Sequence, residues 1–172
     1  MARLDLSIGV ELPPRTFGPL SRTDFVRYQG ASGDFNPIHH DEEFARATGS
    51  MSPDYLEHAD PVVPPTFLTT ASFWQPPEEA GLYRALDIDP RRLLHGEQEF
   101  LFTIEPPRAG TVLHAQTTIE EIYDKEGRRG GIMTFAVLRS DFTDDDGVII
   151  AQARTTLIET RRAPEGSTAG ED

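Results

Sequence analysis

An acidic and an imidazole side chain stand five positions apart in the segment 28–39, at Asp34 and His39. Asn36 and Pro37 lie between them, and a proline has no amide hydrogen and pushes the residue before it out of the α region. The pair is therefore predicted to lie on a loop rather than on one face of a helix. A carboxylate and a histidine that converge on one water molecule form a general acid–base pair, which is the chemistry that these residue types indicate.

A structural role explains the same spacing equally well. In that alternative, Asp34 caps the next turn of the chain and His39 is an ordinary surface residue. The run from His39 to Glu42 does not predict a metal site, because adjacent side chains at a helix start do not converge and no second ligand pair completes a set. We therefore expect no bound metal.

Two short helices should hold this loop in place. Ser21 begins a capping-box pattern with an acid three positions later, which predicts a helix that ends at Gly30 or Gly33. The segment 41–47 predicts a second helix, because acids occupy its first turn and Gly49 follows its end. The loop that carries the acid and the histidine then lies between two helices.

The most apolar helix candidate is the segment 66–74, which we expect to be central and buried. Pro64 and Pro65 precede it and supply the backbone angle that is favoured at a helix start. The segment 75–92 that follows is rich in Pro, Glu and Asp, so we expect an excursion over the surface. The large apolar side chains of the helix should build the core or an acyl tunnel; they are Phe67, Leu68, Phe73 and Trp74.

Four segments with strand chemistry follow Leu93, and turn residues separate each from the next. Their predicted ranges are 97–104, 112–123, 132–141 and 148–160. Side chains alternate from Leu113 to Ile119 and again from Ile150 to Thr156, which indicates one buried face and one partly wet face of a sheet. We expect consecutive strands to be antiparallel neighbours.

These elements predict an α+β fold in which a curved antiparallel sheet wraps round one apolar helix. Residues 1–160 should form a single domain, since this length supports one sizeable core. Residues 161–172 should form a frayed, disordered tail. No internal repeat is visible.

The charge balance excludes several classes of protein. Sixteen basic and 29 acidic side chains give a net charge of −13, which argues against nucleic-acid partners and anionic membranes. The absence of cysteine excludes a disulfide scaffold and thiolate metal sites. No apolar run has the length of a signal peptide or of a membrane helix, so we expect a cytoplasmic protein.

Seven residues of the segment 28–39 together form a recognisable pattern; they are Tyr28, Ser32, Gly33, Asp34, Asn36, Pro37 and His39. This pattern resembles the hydratase motif of the MaoC-like (R)-specific enoyl-CoA hydratases and dehydratases. In the second half of the chain, the segments 95–100, 107–110 and 125–131 resemble the fatty-acid-synthase-like dehydratase subgroup of that family. The resemblance spans residues 21–160.

The resemblance implies a hot-dog fold, a long sheet wrapped round a central helix. It also implies a homodimer, or a heterodimer with a homologous hot-dog subunit. The implied reaction is the reversible, stereospecific addition of water across the α,β double bond of an acyl thioester. Coenzyme A or an acyl carrier protein carries the acyl group in this family, and the enzyme itself uses no cofactor.

The resemblance also implies roles for the residues of the motif. Asp34 and His39 would hold the reacting water between them, one taking its proton and the other supplying a proton to the α-carbon. Such a pair contributes about 10²–10⁴-fold in rate. Ser32 and Gly33 would let the backbone approach the site closely, and Asn36 would shape the loop or orient Asp34.

One departure from the family concerns the start of the central helix. Catalytic members usually have a His-Gly pair there, and the Gly amide donates to the thioester oxygen. In this chain the corresponding residues are Pro64-Pro65-Thr66, and a proline cannot donate. The amide of Thr66, at the positive end of the helix, is one expected substitute. The alternative is that a partner subunit supplies this donor. Pro-Pro-Thr is typical of non-catalytic, acyl-binding subunits, so such a subunit is the alternative function, and a thioesterase is a further one.

A basic group in the second half is the remaining candidate site. We hypothesise that Arg108, together with the cluster at one hairpin, binds the phosphates of coenzyme A or phosphopantetheine. The alternative is a solvated hairpin tip. The cluster consists of Lys125, Arg128 and Arg129.

Overall fold

The structure is a computed structural model that describes residues 7–49, 62–73, 90–127 and 131–160. The helices are α1 (Arg22–Ser32), α2 (Glu42–Thr48) and the 3-10 segments Pro37–His39, Pro65–Phe73 and Pro90–Arg92. The strands are β1 (Arg15–Phe17), β2 (Leu93–Phe102), β3 (Leu113–Gly127), β4 (Gly131–Thr143) and β5 (Ile149–Glu159). The predicted tail 161–172 lies outside the described residues.

Both predicted short helices are confirmed; α1 has the predicted cap at Ser21, and α2 begins after Asp41, which caps it. The Ser21 hydroxyl oxygen accepts a hydrogen bond from the amide of Asp24 at 3.1 Å, and Gly33 ends α1 with a φ of 73°. The Asp41 carboxylate accepts from the amide of Phe44 at 3.0 Å at the start of α2. These caps satisfy amide groups that a helix cannot satisfy internally.

The central helix lies where the sequence predicts it, but it is a 3-10 helix rather than an α-helix. Its first turn closes with the amide of Phe67 donating to the carbonyl of Pro64 at 2.8 Å. The hydroxyl of Thr69 donates to the carbonyl of Thr66 at 2.8 Å. Threonine disfavours the α-helix and its hydroxyl competes for backbone carbonyls, which favours the tighter turn. Trp74 and the predicted excursion up to residue 89 lie outside the described residues.

The five strands form one antiparallel sheet in the order β1-β3-β4-β5-β2. The four predicted strands are confirmed, and β1 was missed because three residues carry too little alternation. The expectation that consecutive strands are neighbours holds for β3, β4 and β5 and is wrong for β2, which pairs with β5. The segment 103–112 between β2 and β3 is longer than a hairpin loop, because it joins two strands that are not neighbours in the sheet.

One face of the sheet packs against the helices, as the alternation predicts. Leu113, Ala115, Thr117 and Ile119 of β3 are all buried, and Gln152 and Arg154 of β5 lie on the wetter face. Phe67, Leu68 and Ala71 of the central 3-10 helix belong to the same buried cluster as β3, β4 and β5. The Phe25 ring of α1 meets the Phe67 ring edge to face at 4.9 Å. Helix α1 is thereby held against the central helix.

Candidate functional site

The loop that follows α1 is shaped by its Gly, Asn and Pro residues. Gly33 takes the left-handed conformation and its amide donates to the carbonyl of Gln29 at 2.9 Å, which ends the helix. Pro37 begins the short 3-10 turn Pro37–His39. Two turns in quick succession therefore turn the chain so that Asp34 and His39 face each other.

Asn36 connects these two turns through its backbone and its side chain. Its amide donates to Oδ1 of Asp34 at 3.1 Å, and its side-chain oxygen accepts from the amide of Ile38 at 3.2 Å. The first bond orients the Asp34 carboxylate, and the second caps the turn that ends with His39. The role that the resemblance implied for Asn36 agrees with this geometry.

Asp34 and His39 come together where the buried imidazole ring of His39 lies nearest to the surface. Oδ2 of Asp34 lies 3.5 Å from Nε2 of His39; the Asp34 side chain is 42% exposed and that of His39 is 6% exposed. Nδ1 of His39 lies 2.7 Å from the carbonyl oxygen of Val62. Because a carbonyl only accepts, we assign the proton to Nδ1. In the neutral ring, Nε2 then presents its lone pair towards Asp34.

The chain before the central helix is held at both ends by the loop and α1. The amide of Val62 donates to the carbonyl of Ile38 at 3.3 Å, in addition to the bond from His39. At the other end, the Tyr28 hydroxyl lies 3.0 Å from the carbonyl oxygen of Thr66 and 2.8 Å from its hydroxyl oxygen. The first turn of the central helix is thus attached to the segment that carries the acid and the histidine.

This arrangement can move a proton to and from a small molecule. A water molecule beside the pair can contact both Oδ2 of Asp34 and Nε2 of His39, which lie close enough to share it. The amides in the first turn of a helix lack partners within the helix, so Thr66 can donate to an oxygen atom placed there. The site therefore offers an acid–base pair and a hydrogen-bond donor on adjacent elements.

Ser32 and Gly33 have local structural roles at the end of α1. The hydroxyl of Ser32 donates to the carbonyl of Gln29 at 3.3 Å, within its own helix. Gly33 has a positive φ of 73°, which a glycine adopts without strain. The close approach to the site that the resemblance implied for both residues stays a prediction.

Two of the predicted phosphate-binding residues, Arg108 and Lys125, lie far apart within the described part of the chain. Arg108 precedes β3, whereas Lys125 is near its other end, and the twelve residue steps from Leu113 to Lys125 span roughly 40 Å. The Lys125 ammonium lies over two stacked aromatic rings, 4.9 Å from Tyr123 and 5.1 Å from Phe135. Arg128 and Arg129 lie outside the described residues.

Two contributors to the site escaped the sequence analysis. The carbonyl of Val62 lies 23 residues from His39 in the chain, and a backbone acceptor leaves no signal in residue type. The Tyr28 hydroxyl belongs to the recognised motif, yet its partner Thr66 is 38 residues away. Both contacts join residues that only the packed chain brings together.

A second concave region lies on the wet face of the sheet and is not part of this site. It is a cleft of about 410 Å³. Arg139 and Arg154 both contact the Glu120 carboxylate there, at 3.3 and 3.0 Å. The two arginines and Glu120 thus form one group of ion pairs. It is lined by Glu99, Leu101, Glu120, Arg139, Gln152, Ala153 and Arg154.

Within residues 7–49, 62–73, 90–127 and 131–160, no three His, Cys, Asp or Glu side chains are grouped as metal ligands would be. In the same ranges, no helix has the length and apolar character needed to cross a bilayer.

Comparison with known sequences gives a family and several relatives. Residues 7–153 match the model of the family described as FAS1-like, dehydratase domain region. A UPF0336 protein of Streptomyces avermitilis is 32% identical over 162 residues, which cover 92% of this chain and 95% of the relative. A UPF0336 protein of Streptomyces griseus is 30% identical over 151 residues, which cover 88% and 91%.

Comparison with solved structures gives the fold. The HadBC (3R-hydroxyacyl-ACP dehydratase) complex of Mycobacterium tuberculosis contains a chain with 26% identity and a TM-score of 0.65, over 88% of this chain and 96% of that one. The (R)-hydratase of A. caviae involved in PHA biosynthesis has 18% identity and a TM-score of 0.58, over 90% and 98%. The sheet and its central helix are a hot-dog fold, as the resemblance implied.

Proposed function

Because the chain belongs to the family described as FAS1-like, dehydratase domain region, we propose that it is a hydro-lyase. It adds water to a 2-enoyl thioester and, in reverse, removes water from the (R)-3-hydroxyacyl thioester. The acyl group is carried by coenzyme A or an acyl carrier protein, and the protein needs no cofactor of its own. The 26% identity to a chain of a 3R-hydroxyacyl-ACP dehydratase complex supports this substrate class.

The observation that carries the proposal is the pairing of Asp34 with a histidine of defined orientation. The two reactive atoms lie 3.5 Å apart, and the carbonyl of Val62 holds the opposite nitrogen of His39. General acid–base catalysis requires groups within hydrogen-bond reach of the proton that moves. Two residues of the motif, Asp34 and His39, are thus the residues that converge.

The reaction uses this pair in both directions. During hydration, the water oxygen forms a bond to the β-carbon while one group of the pair takes a proton from the water. The proton taken from the water passes to the other group, which delivers it to the α-carbon as the electron pair of the double bond moves there. Each group has then returned to its starting protonation state, so no other reactant is needed.

Negative charge develops on the thioester oxygen during the addition, and the start of the central helix can stabilise it. Pro65 has no amide hydrogen, so Thr66 supplies the first donor of the helix. Loss of one such donor in other enzymes costs about 10²–10³-fold in rate. The bonds between Tyr28 and Thr66 support this role, because they join Thr66 to the motif segment that also carries Asp34 and His39.

The proposed assembly is a dimer, of identical chains or with a homologous hot-dog subunit. Strand β2 is ten residues long and, in the described part of the chain, pairs on one side only, with β5. Leu94 and Leu101 on this edge are 49% and 57% exposed. An unpaired, partly apolar edge readily pairs with a strand of another chain. The HadBC and ChsH1-ChsH2 structures that this fold resembles are complexes.

A direct assay tests the proposed reaction. Purified protein is mixed with crotonyl-CoA, and the loss of the conjugated double bond is followed by ultraviolet absorbance. We expect hydration by the natural chain, and a loss of at least about 10²-fold in kcat for Asp34→Asn and for His39→Ala. His40→Ala is the matched control, because His40 is adjacent and exposed.

The outcomes of this assay separate the possible functions. Equal activity of Asp34→Asn, His39→Ala and the natural chain would contradict the mechanism. Release of free thiol with the double bond intact would identify a thioesterase instead.

A non-catalytic, acyl-binding subunit is the second candidate function, and the residues Pro64 and Pro65 favour it. Two prolines remove two amide donors just before the central helix. If this function is the right one, the chain alone binds the thioester without hydrating it, and activity appears only when a homologous subunit is added. Activity of the isolated chain would exclude this candidate.

A further inference from the structure

Tyr28 reaches from α1 to the first turn of the central helix through its hydroxyl group. A phenol donates one hydrogen and can accept another. At 3.0 Å from the Thr66 carbonyl oxygen and 2.8 Å from the Thr66 hydroxyl oxygen, it can donate to the first and accept from the second. The hydroxyl of Thr69 donates to the same carbonyl at 2.8 Å. Thr66 is therefore held by two side chains from different directions.

The position of Thr66 matters because of the residues before it. Val63 and Pro64 are fully buried, and Pro65 is exposed and has no amide hydrogen. Thr66 is also exposed and is the first residue of the helix with an amide hydrogen. The amide, carbonyl and hydroxyl groups of Thr66 all belong to one residue. Hydrogen bonds that hold the carbonyl and the hydroxyl therefore restrict the direction in which the amide points.

The upstream end of the same segment is held by the loop of the acid and the histidine. Val62 accepts from His39 at 2.7 Å and donates to Ile38 at 3.3 Å. The five residues 62–66 thus have one anchor on His39 and another on Tyr28. Two anchors set the distance between the imidazole and the Thr66 amide more firmly than one would.

We propose that Tyr28 is a positioning residue, whose hydroxyl aims the Thr66 amide at the thioester oxygen. This inference rests on the proposed function, because it requires a thioester in the site. Tyr28 does not touch the reacting atoms; it acts through Thr66. A donor that is displaced by about 1 Å can cost about 10²-fold in rate, so the hydroxyl affects the chemical step more than substrate binding.

The ring of Tyr28 has a separate, structural contact. It meets the Phe67 ring edge to face at 5.5 Å. A change to phenylalanine keeps this contact and removes only the hydroxyl. Tyr28→Phe therefore separates positioning of Thr66 from packing of α1 on the central helix.

The first test compares Tyr28→Phe with the natural chain in crotonyl-CoA hydration. We expect kcat to fall about 10- to 100-fold while KM changes by less than about threefold. Tyr123→Phe is the matched control, because Tyr123 also contacts a Phe ring but lies near the far end of β3. An unchanged kcat for Tyr28→Phe would overturn the inference, as would a change in KM alone.

The second test uses the partner residue. Thr66→Val removes the hydroxyl and keeps the amide, and Thr66→Ser keeps both. We expect Thr66→Ser to retain activity, and we expect Tyr28→Phe to cost less in a Thr66→Val background than in the natural one. Fully additive losses would show that Tyr28 does not act through Thr66.

The third test observes the thioester oxygen directly. 2,4-Hexadienoyl-CoA is bound to Asp34→Asn, in which hydration is blocked, and its absorption band is recorded. Polarisation of the carbonyl moves this band to longer wavelength, and we expect a smaller movement when Tyr28→Phe is added. An equal movement, or none in either variant, would overturn the inference.

Failure of the inference and failure of the proposed function are distinguishable. If the natural chain does not hydrate the thioester, with or without a homologous subunit, the proposed function fails. If the natural chain hydrates it and Tyr28→Phe is equally fast, only the role of Tyr28 fails.

Discussion

The imidazole of His39 is oriented by a neutral group on one side and faces a carboxylate on the other. The carbonyl of Val62 fixes the proton on Nδ1 without adding a charge, and Asp34 lies on the side of Nε2. A ring held in this way presents the same nitrogen to the substrate before and after proton transfer. The orientation depends on the short turn Pro37–His39, and this turn depends on its cap.

Asn36→Ala tests this dependence. The substitution removes the oxygen that caps the turn, which costs about 0.5–2 kcal/mol of stability. We expect kcat for hydration to fall by more than tenfold, about as much as a displaced catalytic group costs. Stopped-flow hydration of crotonyl-CoA and thermal unfolding measure the two effects.

Ser21→Ala is the control for Asn36→Ala. It removes the cap of α1 in the same way, away from the turn that carries His39. We expect a similar loss of stability and little change in kcat. Equal losses of activity in both variants would show that Asn36 acts through stability alone.

At the scale of the elements, the residues just before α1 are closely packed. Gly18 has a φ of 114°, and a Cβ atom added there would lie 2.7 Å from the backbone oxygen of Thr111. The neighbouring backbone is tied to this region by the amide of Leu20, which donates to Thr111 at 2.9 Å. The crossing segment between β2 and β3 therefore packs directly on the residues that precede α1.

Gly18→Ala should destabilise the fold by several kcal/mol. The unfavourable φ costs about 1–2 kcal/mol, and the clash with the Thr111 backbone adds to it because backbone cannot move aside cheaply. Gly9→Ala is the matched control, since its φ of 86° is also positive but no heavy atom lies within 4 Å. Urea unfolding should show the larger loss for Gly18→Ala. Equal losses would mean that the close approach of Gly18 to Thr111 contributes nothing to the free energy of unfolding lost by the substitution.

At the scale of the whole molecule, the edge of β2 that has no partner strand in the described part of the chain is the proposed site of association between chains. An extra charge on an edge strand disfavours pairing with another chain. Leu101→Lys should therefore shift the protein towards a monomer of 19.1 kDa. Ile132→Lys is the control, because Ile132 is 49% exposed but lies on β4. Sedimentation velocity measures the outcome, and a dimer that survives Leu101→Lys would place the interface elsewhere.

The sequence by itself determined the local structure of the chain. The caps at Ser21 and Asp41 and the turns of Gly33 and Pro37 act between residues close in the chain, so their types suffice to predict them. The alternation in β3 likewise marks the buried face without reference to any partner. The motif from Tyr28 to His39 was readable for the same reason, because its residues are neighbours.

Tertiary structure alone decided the contacts between distant residues. The pairing of β2 with β5, the bond from His39 to Val62 and the bonds from Tyr28 to Thr66 each join groups more than 20 residues apart. A backbone carbonyl has the same chemistry in every residue, so only the packed chain selects which one accepts. The central helix is a 3-10 helix for a similar reason. Its hydroxyl-to-carbonyl bonds and its packing contacts override the α-helical pattern of the sequence.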